Sequence, residues 1–122
     1  MKKSELKLGD WVYAKNPITC EDMPCKIEKI NDDKVLAGLI WCHFDELSPI
    51  PLTEEILEKN GWKERKYSER IAYENGWYEL FRVGQEGAWA FCHYDDFLTA
   101  IKHTHELQHI LWALGIIDDL KI

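Results

Sequence analysis

The sequence predicts an α+β fold: a small β-barrel, then a short helix, then an antiparallel sheet with one packed C-terminal helix. Three observations predict it. Short runs rich in β-branched and aromatic residues alternate with tight turn signals in both halves of the chain. Pro49 and Pro51 punctuate the middle and divide a unit at 1–52 from one at 53–122. A single amphipathic stretch, His105 to Leu114, comes near the end. At 122 residues the two units are expected to share one compact body.

The elements follow in order. Gly9-Asp10 makes a turn, and Trp11, Val12 and Tyr13 open a strand within 8–14. Residues 16–25, with Pro17, Pro24 and two cysteines, read as a loop. Lys26 to Ile30 alternates apolar with charged residues, as a half-buried strand should. Asn31-Asp32-Asp33 is a turn, and strands Val35 to Leu39 and Ile40 to Phe44 part near Gly38. Thr53 caps a helix over Glu54 to Lys59, with two acids at its positive end and Asn60-Gly61 as its stop. Leu52, Ile56 and Leu57 give that helix one apolar side.

In the second half, Ser68 to Glu74, Gly76 to Val83 and Ala88 to Tyr94 read as strands. They are joined by Asn75-Gly76, the strongest hairpin signal present, and by Gln85-Glu86-Gly87. Phe97 to Lys102 reads as a fourth strand. Thr104 caps the final helix, Gly115 ends it, and Ile116 to Ile122 forms a tail or last edge strand.

Composition narrows the function classes. Hydrophobic content of 46% and charged content of 30% fit a folded globular chain rather than a disordered one. A net charge of −7 disfavours nucleic-acid binding, and the one basic run, Lys63 to Lys66, is interrupted by Glu64. No secretion signal and no membrane-length apolar run is read, so a cytoplasmic location and reduced cysteines are expected. Six tryptophans exceed what one small core absorbs, so some are expected at the surface or at an interface.

The sharpest chemical motif is HELQH, His105 to His109. On a helix, positions i and i+4 share a face, so His105 and His109 could ligate one zinc ion, with Glu106 as the general base on a bound water. Two features oppose a zinc-hydrolase reading. The third ligand of the extended motif is missing, because Trp112 stands where its glycine belongs and the downstream acids Asp118 and Asp119 lie past the helix stop. Leu107, Ile110, Leu111 and Leu114 define the core stripe of the helix. At about 100° per residue, His105 and His109 fall nearly opposite that stripe. Unless a second layer covers that side, both histidines and the neighbouring Trp112 are expected to form an outward protein-contact patch. No catalytic residue, metal ligand or cofactor is therefore assigned.

Cys42-His43 and Cys92-His93 are adjacent pairs on strands, so each pair points to opposite faces and does not share a metal. The segments 40–47 (IWCHFDEL) and 90–97 (AFCHYDDF) resemble one another, as chance, a shared strand-then-helix grammar or a duplication would equally produce. Cys20 and Cys25 lack the second pair that a structural zinc site needs. No P-loop, GxGxxG or GxSxG signature is present.

The entry Leu6 to Tyr13 (LKLGDWVY) is similar to the first strand of SH3-like barrels, which makes the expected first unit an SH3-like β-barrel. Glu46 to Trp62 (ELSPIPLTEEILEKNGW) and His103 to Gly115 (HTHELQHILWALG) resemble a family of small uncharacterised proteins from phages, prophages and mobile elements of gut Bacteroidales. The resemblance implies a cytosolic accessory protein and no catalytic residues. The expected function is binding by protein contact, with a protein partner or self-association. The alternatives are a metal-dependent hydrolase built on HELQH and sequestration of a small nucleotide signal.

Overall fold

The computed structural model describes every residue except 68, 69, 85, 117 and 118. Among the described residues the chain forms two five-stranded antiparallel sheets and two α-helices, an α+β architecture. The first sheet holds β1 (Trp11–Lys15), β2 (Asp22–Ile30), β3 (Lys34–Ala37), β4 (Ile40–His43) and β5 (Leu47–Pro49), in the order β4-β3-β2-β1-β5. The helix α1 (Glu54–Lys59) follows. The second sheet is a meander of β6 (Lys63–Tyr67), β7 (Arg70–Asn75), β8 (Tyr78–Val83), β9 (Ala88–His93) and β10 (Asp96–Ile101). The helix α2 (Thr104–Ala113) completes the set.

Neither sheet closes on itself, so the expected barrel is an open sheet with β4 and β5 as its edges. The 3-10 turn Phe44–Glu46 carries the chain from one edge to the other. β2 is nine residues long and pairs with both β1 and β3, with a register shift between Ile27 and Lys29 that bends it around the first core. That core centres on Val12, Ile27, Val35 and Leu47.

Several local expectations hold. α1 spans the expected residues, and the Thr53 hydroxyl oxygen accepts from the Ile56 N–H at 3.3 Å. Gly61 supplies the left-handed stop at φ +84°. The turn after Asn31 is fixed by its own side chain, whose Oδ1 accepts from the Asp33 and Lys34 N–H groups. Other expectations change. β2 begins at Asp22, inside the stretch read as a loop. β6 occupies the charged run KERKY, which carries no apolar alternation. It is an edge strand, where charged side chains protect an open ladder. The start of the strand expected at 68–74, part of the 85–87 connection and part of the 116–122 tail lie outside the described residues; residues 119–122 carry no strand.

The second core lies between the second sheet and the two helices, around Tyr73, Leu80, Trp89, Phe91, Leu57 and Leu107. The Tyr73 hydroxyl donates to Glu58 Oε1 at 3.0 Å and so ties α1 to the sheet. The Trp89 indole N–H donates to the Leu52 carbonyl at 3.0 Å. The 50–52 segment pairs with the approach to α2: Leu52 N–H donates to the Lys102 carbonyl and Thr104 N–H to the Ile50 carbonyl. This short ladder fixes where α2 starts.

Candidate functional site

α2 begins one residue earlier than expected. Its N-cap is His103, Thr104 is fully buried inside the first turn, and the helix ends at Ala113. Leu107 and Leu111 are buried in the second core and Ile110 packs against it, as the stripe predicts. Leu114 departs from the expected core face and is 42% exposed. It is the C-cap, so it has left the helical phase. Gly115 then turns left-handed at φ +78°, and Ile116 folds back, its N–H donating to the Leu111 carbonyl at 2.8 Å. Ile116 packs against the core where Leu114 was expected.

The outward patch is the larger correction. His105 is only 5% exposed, and His109 and Trp112 are half-buried. The reason is a second layer: the side of α2 opposite the leucines lies on the Gly9-Asp10-Trp11 turn of the first sheet. Gln108 is buried and completes that turn, its Oε1 accepting from the Trp11 N–H at 2.9 Å and its Nε2 donating to the Gly9 carbonyl at 3.1 Å. Asp10 is fully buried. Its Oδ2 accepts from the Lys7 N–H at 2.8 Å, and both of its carboxylate oxygens lie 2.8 Å from His109 Nε2. An ionised carboxylate only accepts, so that nitrogen carries the proton and donates. Trp112 lies over Gly9, with ring atoms 3.5 and 3.6 Å from where a Cβ would stand.

HELQH is thus spent largely on architecture. The Glu106 carboxylate accepts from the Lys102 and His103 N–H groups at 3.1 and 3.0 Å and lies 2.9 Å from His103 Nδ1. This is a capping box with His103 in the position usually held by Ser or Thr. His105 and His109 are neighbours at 5.5 Å between ring centroids, but to share an ion with His105, His109 would have to use Nδ1, because Asp10 holds Nε2. Among the described residues, no group of three or more His, Cys, Asp and Glu side chains is arranged to hold a metal ion. Burial pushes the His105 imidazole below its ordinary pKa, so it is neutral at pH 7, and its Nδ1 is buried without a partner.

The Cys-His pairs split as expected. Cys42 and Cys92 are buried, while His43 is exposed and His93 half-buried. Their surroundings differ: Cys42-His43 leads into a 3-10 turn, and Cys92-His93 leads into a tight hairpin. That hairpin carries a feature with no sequence signal. Tyr94 sits at φ +55°, a left-handed position without glycine. Its N–H donates to the Trp77 carbonyl at 3.1 Å, joining the β9–β10 turn to the β7–β8 turn.

The two turns present an aromatic cluster at one end of the second sheet. Trp77 is 64% exposed and Tyr94 54%, with ring centroids 5.1 Å apart. His93 lies 4.7 Å from Tyr94 and 5.2 Å from Tyr78, and Tyr78 stacks on the buried Phe91 at 5.4 Å. The chain of rings runs from the core to the exposed tip. Beside it lies a groove of about 620 Å³ between this end of the sheet, the end of α1 and the 119–121 segment. The two-residue turn could be read from Asn75-Gly76; the exposure of Trp77 and the pairing with Tyr94 could not. No protein-family model matches the chain, and no curated protein or solved structure does.

Proposed function

We propose that the chain is a non-enzymatic accessory protein that acts by protein contact, through the aromatic end of the second sheet rather than through the HELQH helix. The carrying observation is the Trp77–Tyr94 pair. Two large rings are held in solvent, and one stands on a left-handed backbone position that costs of the order of 1–3 kcal/mol. A residue kept in such a conformation while its ring stays exposed is a candidate for recognition. Exposed Trp and Tyr also supply much contact area at low conformational entropy.

The context we favour is a phage, prophage or mobile element, on the likeness of Glu46 to Trp62 and His103 to Gly115 to such proteins. The strand order β4-β3-β2-β1-β5, with a 3-10 turn between β4 and β5, supports kinship of the first sheet with SH3-like barrels. In this reading the first sheet is a scaffold, gripped by α2, that steadies the second.

Capture from host lysate with the wild-type chain and with Trp77→Ala and Tyr94→Ser tests the contact. Loss of one specific partner, or of self-association in light scattering, in both variants supports it. A strictly monomeric wild type that retains no partner contradicts it.

A further inference from the structure

We propose that residues 119–122 occupy a peptide-binding groove of their own chain, and that the groove takes in their place an extended segment of a partner protein. The pattern it takes is an acid, leucine, any residue, then a branched aliphatic. This goes beyond contact through the aromatic end, because the bonds belong to Trp11, Lys59 and Asn60 rather than to Trp77 and Tyr94.

The 119–122 segment is held as a peptide ligand is held. It alternates like a strand: Leu120 is buried and Ile122 packs against the second core, while Asp119 and Lys121 are exposed. Yet it pairs with no strand among the described residues. Side chains of other elements take its main-chain groups instead. The Trp11 indole N–H donates to the Leu120 carbonyl at 2.7 Å. Asn60 engages Lys121 twice, its Oδ1 accepting from the N–H and its Nδ2 donating to the carbonyl, both at 2.7 Å. Lys59 Nζ donates to the Ile122 carbonyl at 2.9 Å. Main-chain bonds of this kind are open to any extended segment, and the pockets for alternate side chains supply the selectivity.

Those pockets set the pattern. Leu120, at 6% exposure, is the anchor, and Ile122 is a second, shallower one. Asp119 lies 3.9 Å from Lys26 Nζ, which favours an acid before the leucine. The receptor groups are fixed by bonds outside the segment, which lowers the cost of binding. Asn60 Nδ2 also donates to the Ile56 carbonyl at 2.7 Å, and the Trp11 main-chain N–H is held by Gln108. Beside the segment the groove runs on to Trp77 with about 620 Å³ of space, room for a partner segment longer than these four residues.

The test titrates a dye-labelled synthetic peptide of residues 116–122 into the full chain, its Leu120→Ala variant and its Lys121→Pro variant, which lacks the N–H that Asn60 accepts. An attached segment competes at an effective concentration of the order of millimolar, so both variants should bind the peptide about tenfold or more tighter than wild type. The Trp11 indole N–H signal in NMR should move in each variant and return towards its wild-type position as peptide saturates, with the Trp89 signal as a check on the fold. Asn60→Ala added to Leu120→Ala should weaken peptide binding about tenfold. Equal binding to wild type and both variants overturns the proposal, as does a Trp11 signal that fails to return or binding undiminished by Asn60→Ala. A wild-type dimer that Asn60→Ala dissolves overturns it too, and gives the groove to a second copy's segment. No peptide binding, with partner capture still lost in Trp77→Ala, overturns this inference and leaves the protein-contact reading standing. Peptide binding as expected, with capture indifferent to Trp77→Ala, supports this inference and removes that reading.

Discussion

His109 Nε2 lies 2.8 Å from both carboxylate oxygens of Asp10, across 99 positions of sequence. This pair, with the Gln108 bonds beside it, is how α2 grips the first sheet. Gly9 suits the grip because its φ of +89° is a backbone conformation that side-chain-bearing residues rarely adopt, and the Trp112 ring lies at contact distance over it. Gly9→Ala should therefore cost about 1–3 kcal/mol in urea unfolding. Wild-type stability in that variant would mean the turn does not need this geometry.

His105 sets a pH dependence. Burial is the main cause lowering its pKa from 6.5; His109 and His103 add to it, and Asp10 and Glu106 oppose it. The unfolded chain then takes up this proton before the folded one. Stability is full above about pH 6.5 and falls as the pH drops from there towards the lowered folded-state value, by at most about 1.4 kcal/mol per pH unit. Urea midpoints at about pH 7.5 and about pH 5.5 check this. His105→Leu should flatten the difference, and an equally steep fall in that variant would assign it to other groups.

Tyr94 should separate stability from binding. Tyr94→Gly removes the left-handed penalty and should raise stability by about 0.5–1 kcal/mol, less than the full strain because glycine gains freedom in the unfolded chain. The same change removes half of the exposed ring pair and should weaken partner capture. A variant that is destabilised, or one that captures the partner as well as wild type, contradicts the role given to this turn.

The thiols should react unequally. Cys20 is exposed, whereas burial pushes Cys25, Cys42 and Cys92 to raised pKa values. Iodoacetamide on the native protein should modify Cys20 first, about tenfold or more ahead of Cys42 and Cys92, as read by mass spectrometry. Fast labelling of Cys42 would mean the first core opens readily.

Much of the fold was legible because its signals are local. A Thr53 cap, an Asn60-Gly61 stop and the side-chain turn at Asn31 each depend on residues within four positions of one another. β6 was hidden because an edge strand of alternating charges has no apolar period. The faces of α2 were misassigned for a different reason. Helical phase locates the apolar side correctly, as Leu107 and Leu111 show, but it treats the polar side as solvent. Here that side meets a polar partner, the Gly9-Asp10 turn, and only the tertiary fold brings the two together. The aromatic cluster depends on two hairpin tips lying side by side, and nothing in the string HYDD marks Tyr94 as left-handed.

A double-mutant cycle tests the central claim, that HELQH serves as a clasp between the two sheets. Asp10→Ala, His109→Ala and the double variant are compared with wild type in urea unfolding. His109→Ala should cost about 3 kcal/mol or more, since it leaves the fully buried Asp10 carboxylate without this partner, and Asp10→Ala about 1–3 kcal/mol, since the half-buried His109 keeps access to water. The double change should cost at least about 1 kcal/mol less than the two together. Strict additivity of the two losses would contradict the clasp.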